Sequence, residues 1–544
     1  MPAPEFWPRW LLFGGASALV VATALVLWWV WHAGVDHRVR HAVAAVCAVV
    51  AGGAVAVVCW TAALPDYCQS GNGRLVREDG QCVGISDGGY VFDDALAAVS
   101  ARIEELNDRV EQGDTPYATI ALMIPMTPGE ESAADRAQVL REVQGAYLAQ
   151  YRADVVAPED VPVRLVLANP GRDLKHGRRV ADWLAELAAS DEDRLRAVFG
   201  FNLSVQENAD TIGYLTREKK IPVVGGPLTA TGLADGGKTP YPGLVKVVPS
   251  NHDQARALRH YLDEDDTKSF LIEDISGTDL YAKSLREAFR EVTRNAASGP
   301  EQYDAQRVTN NDFQQMVNNI CDSRATTLYF AGRPAALAQL INALGRRGCT
   351  DRHLTLVTVS GASTITLEPS LDWSALTRGE GLTVEYATIT HPDVWAAGGS
   401  PAPPSTGGSP ADLAKLTGLL EPDAAHDPGD IGATDLSDGR TITMYDAALT
   451  AITGIENRVT EKGEVPDLAA IGEAWRRLHG VHKVPGASGW ICLRGDGTPY
   501  DKAVAIVRLV AEGGEGPGGH LAYQGVAWPT GRPLTAERCL NTKG

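Results

Sequence analysis

The sequence predicts an α/β protein: two parallel-sheet, Rossmann-like lobes around a hinge, preceded by a two-helix transmembrane hairpin. Three observations lead there. From about Tyr117 onward, apolar strand-like segments alternate with amphipathic helical ones, the pattern of a parallel sheet with crossover helices. The alternation runs twice, once to about Ser250 and again from Lys268. Two uncharged apolar runs stand at the amino terminus.

Those runs are Trp10 to Trp31 (22 residues) and Ala42 to Leu64 (23 residues), each long enough for a bilayer, which takes about 20. Trp28, Trp29, Trp31 and Trp60 sit at their ends, as interfacial aromatics do. Arg38 and Arg40 lie in the link between them, so the positive-inside rule places that link in the cytoplasm and the large domain outside. Two of the eight cysteines, Cys47 and Cys59, fall in the second run. Cys68 and Cys82, Cys321 and Cys349, and Cys492 and Cys539 form three pairs by position, as disulfides in an oxidising compartment would, although position leaves the pairing open.

The polar segment Pro65 to Gly89 is expected to be a stapled neck. Val91 to Gln112 carries Leu96, Val99, Ile103, Leu106 and Val110 on one helical stripe. Strands are then expected in "ATIALMIPMTPG", "VRLVLANPG", "LRAVFG" and "IPVVGG", and in a second series at "KSFLIEDIS", "TTLYFAG", "HLTLVTVSG" and "GLTVEYATIT". "GGSPAPPSTGGSP", with the acidic stretch after it, reads as an irregular insertion. "GASGWICLRGDGTPYDKAVAIVRLV" reads as two strands around a turn at Gly495-Asp496-Gly497. The expected partition is a hairpin over 1–64, a neck and helix over 65–116, a first lobe of 117–250 plus 385–480, and a second of 251–384 plus 481–544, with the insertion at 398–438.

A formal net charge of -19 disfavours nucleic acid as a partner, because phosphate binding needs a basic surface. There is no Gly-x-Ser-x-Gly elbow and no Walker loop, and the cysteines lack metal-like spacing, so the sequence implies no cofactor, no metal and no catalysis. Asp427, Asp430, Asp435 and Asp438 do not follow an EF-hand spacing and read as a solvated acidic loop.

Six segments in order, "IALMIPMTPG", "AVFGFNLSVQENA", "IPVVGGPLTATGL", "VKVVPSNHDQARALRHYL", "LYFAGRPAALAQLINALGRRGC" and "MYDAALTAI", resemble the type I periplasmic-binding-protein fold in its branched-chain amino-acid-binding branch. The resemblance covers roughly Tyr117 to Leu540. It implies a small polar ligand, amino-acid-like, gripped between two lobes for an ABC importer permease. It also implies ligand contacts at Ser204, Thr229, Asn251 and Tyr281, with Arg333 where an aromatic often sits. Asn251 replaces an acidic partner for a ligand ammonium, and Arg333 offers a guanidinium to an acid group. The alternative is a ligand sensor that signals to a separate partner protein.

Overall fold

The computed structural model describes residues 22–26, 28–32, 36–63, 68, 74–129, 133–233, 241–262, 266–277, 279–421, 424–460, 463–512 and 518–540, with the backbone alone at 51–63, 133, 266 and 310. Met1–Gln69 and Ser70–Gly544 are separate compact units.

In the first unit the backbone is helical at 22–26, at 28–32 and over His37–Ala63. Leu25, Trp28, Trp29, Trp31, Val46 and Val49 are exposed on these helices, while Val30 and Cys47 are buried. Among the described residues no helix is long and apolar enough to cross a membrane. The structure therefore does not support the expected transmembrane hairpin: most of the run from Trp10, and the side chains of 51–63, lie outside the described residues.

Among the described residues, the second unit is built on two seven-stranded sheets. The first contains β1 (Leu75–Glu78), β2 (Gln81–Ser86), β3 (Ala118–Met123), β4 (Val163–Asn169), β5 (Leu195–Gly200), β6 (Val223–Gly225) and β7 (Leu244–Lys246). Their order is β1-β2-β4-β3-β5-β6-β7. From β4 to β7 every pairing is parallel, and each strand is buried on both faces, as helix-covered parallel strands must be. The expected neck instead forms the antiparallel hairpin β1-β2, which extends this sheet through an antiparallel pairing with β4. The stripe Val99, Ile103, Leu106 and Val110 on helix Ala97–Glu111 is buried in the same lobe.

The second sheet contains β8 (Ser269–Asp274), β9 (Glu301–Tyr303), β10 (Thr327–Ala331), β11 (Leu354–Val359) and β12 (Leu382–Thr388). After the small hairpin of β13 (Val484–Gly486) and β14 (Gly489–Ile491), it is completed by β15 (Val504–Ala511) and β16 (Gly519–Ala527). The order is β16-β15-β12-β11-β10-β8-β9; β15 alone runs against the rest, pairing antiparallel with both β12 and β16. Thus β12 belongs to the second lobe, and the chain returns to the first lobe after Thr388, later than the expected boundary of 385. The strands flanking Gly495–Gly497 do not pair with each other. The turn is closed by a lone bridge from Leu493 to Pro499, and the flanking strands join different sheets.

Among its described residues the expected irregular insertion contains one α-helix, Pro410–Thr417, capped by Ser409. Its acidic half is pinned rather than loose. Helix Ala133–Tyr151 donates from Gln144 to the Ile431 and Ala433 carbonyls, and from Tyr147 and Tyr151 to those of Pro428 and Asp427. Arg141 bonds Asp435 at 2.8 Å and Asp438 at 2.5 Å. The acidic residues here therefore serve the half-buried Arg141 and turn amides.

The same helix lies against helix Arg440–Glu456, which brings the chain back into the first lobe. Gly145 permits this approach: a Cβ there would stand 2.3 Å from the Thr441 carbonyl oxygen. The chain crosses to the second lobe for the last time before β15, where the buried Lys502 donates to the Ser488 and Gly489 carbonyls. Cys321–Cys349 and Cys492–Cys539 are disulfides, each with Cα atoms 5.6 Å apart, and Cys68 and Cys82 are also oxidised.

Gly145→Ala should force the two helices apart and destabilise the protein by about 1–3 kcal/mol, read as a lower denaturant midpoint. Mass mapping without reduction should recover the Cys321–Cys349 and Cys492–Cys539 peptides linked.

Candidate functional site

A cleft of about 1160 Å³ opens between the lobes. The first lobe contributes Gln138 from helix Ala133–Tyr151, and Asn202, Leu203 and Val205 from the loop after β5. The second contributes Asp279, Arg333, Gly361, Thr364 and Glu368, while Arg440 enters from the first turn of the returning helix. The wall residues sit at carboxyl ends of parallel strands, where an open α/β sheet presents its loops.

Of the five residues marked in the sequence, Arg333 alone lines this cleft. The other four come together beside it in a direct joint between the lobes. The Tyr281 amide donates to the Ser204 carbonyl at 3.0 Å, and the Asn251 amide to the Thr229 carbonyl at 2.7 Å. The Ser204 hydroxyl accepts from the Ala230 amide. The Asn251 side chain donates to the Tyr281 carbonyl at 3.1 Å and the Ser284 hydroxyl at 3.2 Å. The Thr231 amide donates to Ser284, and Leu280 packs on the core of the first lobe. Ser204, Thr229, Asn251 and Tyr281 are all buried. Burial raises the Tyr281 phenol well above its usual range, so it stays protonated, and its oxygen accepts from the Gly361 amide at 2.9 Å.

Asp279 fixes the neighbouring wall. It caps helix Leu280–Val292 by accepting from the Tyr281 and Ala282 amides. It also takes Arg333 in a two-point ion pair, at 2.7 and 2.8 Å, which holds the guanidinium 4.4 Å above the Tyr281 ring. Also on the cleft lining, partial burial and then the charge of Asp135 raise the Glu368 carboxyl.

The floor carries residues that no motif announced. Glu142, wholly buried, accepts from Asn202 Nδ2 at 2.6 Å, Arg440 Nη1 at 3.1 Å and Gln138 Nε2 at 3.3 Å. Arg440 Nη2 reaches across to the Ser363 hydroxyl of the second lobe at 3.1 Å. Two buried polar atoms remain without a partner here, Asn202 Oδ1 and Arg440 Nε. Burial pushes the Glu142 carboxyl up to about 7, with Arg440 and the Asn202 hydrogen bond only partly opposing it. The sequence signal was faint: helix Ala133–Tyr151 is covered from several sides, so it shows no clear polar stripe against which a buried Glu would stand out.

The arrangement can hold a small polar molecule between two lobes and exchange hydrogen bonds with it on both walls. Residues 146–381 match the model of a family described as periplasmic binding protein. The leucine-binding protein LivK of Thermotoga maritima superposes with a TM-score of 0.53 at 16% identity, over 76% of this chain and 99% of that one. LivJ of Streptococcus pneumoniae, solved with isoleucine, gives 0.51 at 15% identity, over 75% of this chain and 100% of that one. An ABC transporter substrate-binding protein of Desulfitobacterium hafniense, complexed with Leu, gives 0.53 at 14% identity, over 76% and 100%. No curated protein matches the chain.

The Glu142 carboxyl is raised above its unfolded value of 4.5, so its contribution is full below that value and is lost as pH rises through about 7. Glu142→Gln should remove this loss. Relative to wild type, its unfolding free energy should gain about 3 kcal/mol between acid and neutral pH; parallel pH slopes in denaturant titrations would contradict the assignment.

The unit from Ser70 to Gly544 thus has the two-lobed fold of the type I periplasmic binding proteins, to whose family model its central part corresponds.

Proposed function

We propose that the chain is a membrane-anchored, extracytoplasmic solute-binding protein that captures a small polar, amino-acid-like ligand between its lobes for an ABC importer. The observation that carries this reading is the inter-lobe cleft, walled by polar and charged side chains of both lobes. A ligand touching both walls stabilises the closed arrangement by the difference between its open-state and closed-state affinities. The related structures add weight, since LivJ and the Desulfitobacterium protein are each described with a branched-chain amino acid bound.

Two further observations support the setting. Three oxidised cysteine pairs' worth of thiols, Cys68, Cys82, Cys321, Cys349, Cys492 and Cys539, suit an oxidising compartment. The outward-facing Leu25, Trp28, Trp29, Val46 and Val49 suit helices in contact with lipid rather than water.

Thermal melting of the full chain in detergent against amino acids, small carboxylates, amides, sugars and nucleosides tests the capture role. A compound at about a hundred times its dissociation constant adds about 2.7 kcal/mol and raises the midpoint. A flat response across the panel would contradict the reading. Deleting the residues before Pro65 should move the protein from the membrane to the soluble fraction; retention in the membrane would rule out the anchor.

A further inference from the structure

The joint at Ser204, Thr229 and Tyr281 leaves the cleft floor as the polar surface with unmet hydrogen-bonding capacity. Arg440 has five N–H donors in a rigid plane. One meets Glu142 and one meets Ser363, while Nε has no partner although it is buried. Asn202, 5% exposed and lining the same cleft, donates an amide hydrogen to Glu142 and leaves Oδ1 without a donor. Unmet buried donors and acceptors are costly, so this arrangement is one that a ligand completes. Glu142 holds Arg440 through a single nitrogen rather than the two-point geometry that a carboxylate and a guanidinium prefer.

We propose that Arg440 and Asn202 form a subsite for a ligand carboxylate carrying a hydrogen-bond donor beside it, with Glu142 a positioning residue that takes up a proton as the carboxylate binds. The inference rests on the solute-binding reading and names the ligand class of that site. The ligand carboxylate accepts from Arg440, its neighbouring N–H or O–H donates to Asn202 Oδ1, and a proton from solvent neutralises Glu142. Charge then balances: one carboxylate faces the Arg440 guanidinium before binding and one afterwards.

The surrounding groups allow this exchange. On its own helix Glu142 faces Gln138, and Arg141 turns away to Asp435 and Asp438. Asp438, on the segment leading to Arg440, adds a negative charge that favours protonation of Glu142. From the second lobe come the Ser363 hydroxyl and the buried Tyr386, near Arg440 and Asp438, whose phenol burial keeps protonated. Asp135 and Glu368 also line the cleft.

The test is calorimetric titration of the full chain at several pH values with acetate, lactate, malate, glutamate and leucine, with acetamide, lactamide and leucinamide as uncharged-carbonyl counterparts, and with glucose and adenosine. At least one carboxylate should bind and its amide should not. Its affinity should fall about tenfold per pH unit above about 7, with proton uptake on binding. Arg440→Gln and Asn202→Ala should weaken it on the order of 10- to 100-fold. Glu142→Gln keeps the side-chain shape, so it reports even where Arg440→Gln does not fold, and it should abolish the pH dependence. Amides binding as well as acids, or an unchanged pH slope in Glu142→Gln, would overturn the inference. Binding of glucose or adenosine with no carboxylate would overturn it and leave the solute-binding reading standing. Binding by none of the compounds would overturn both.

Discussion

The buried contact of Glu142 with Arg440 is the point on which the cleft depends. It joins two helices that reach the first lobe from distant parts of the chain, Ala133–Tyr151 and Arg440–Glu456, and it ends the second of them against Ser363 of the opposite lobe. A charge pair of this kind adds little net stability, because removing both ions from water offsets most of their attraction. Its effect is positional. It sets where the returning helix begins, and hence where the floor side chains stand. Gly145 gives the helices their spacing, and the segment around Asp427 to Asp438 is drawn down by Arg141, Gln144, Tyr147 and Tyr151 on the same helix.

On one side of that contact the lobes meet without an intervening molecule. The Tyr281 amide reaches Ser204, Thr231 reaches Ser284, and Leu280 enters the first lobe's core. On the other side they diverge around the cleft, with Arg333 braced by Asp279 on one wall and Asn202 on the other. The proposed capture role needs both regions: contacts that keep the lobes in register, and a space whose walls a ligand can bond. The unmet atoms of Asn202 and Arg440 lie in the second region.

Much of the fold was legible because its signals are local. Doubly buried strands such as Val163–Asn169 read as mostly apolar runs, here broken only by Arg164 and ended by Asn169, and the helices between them carry their own periodicity. The hairpin β1-β2 was not legible. Its residues are short, polar and Gly-rich, and only pairing with β4 makes them strands. The placement of β12 escaped for a similar reason, since sheet membership is settled by partners on β11 and β15 rather than by its own sequence. The cleft was legible in its neighbourhood, and of the marked residues Arg333 lines it. Loops after β5 and β6 do face the other lobe, yet Ser204 and Thr229 spend their groups on the joint. Glu142 and Arg440 are nearly 300 residues apart in the chain. No spacing rule connects them, and only the packing of two helices does.

The most direct test is a crystal structure of the full chain with a compound that raises its melting point. The account predicts the ligand between Asn202, Arg440 and the Arg333 wall, with Tyr281 still bonded to Ser204. A ligand seated instead between Ser204 and Thr229, with Tyr281 swung away from Gly361, would contradict it.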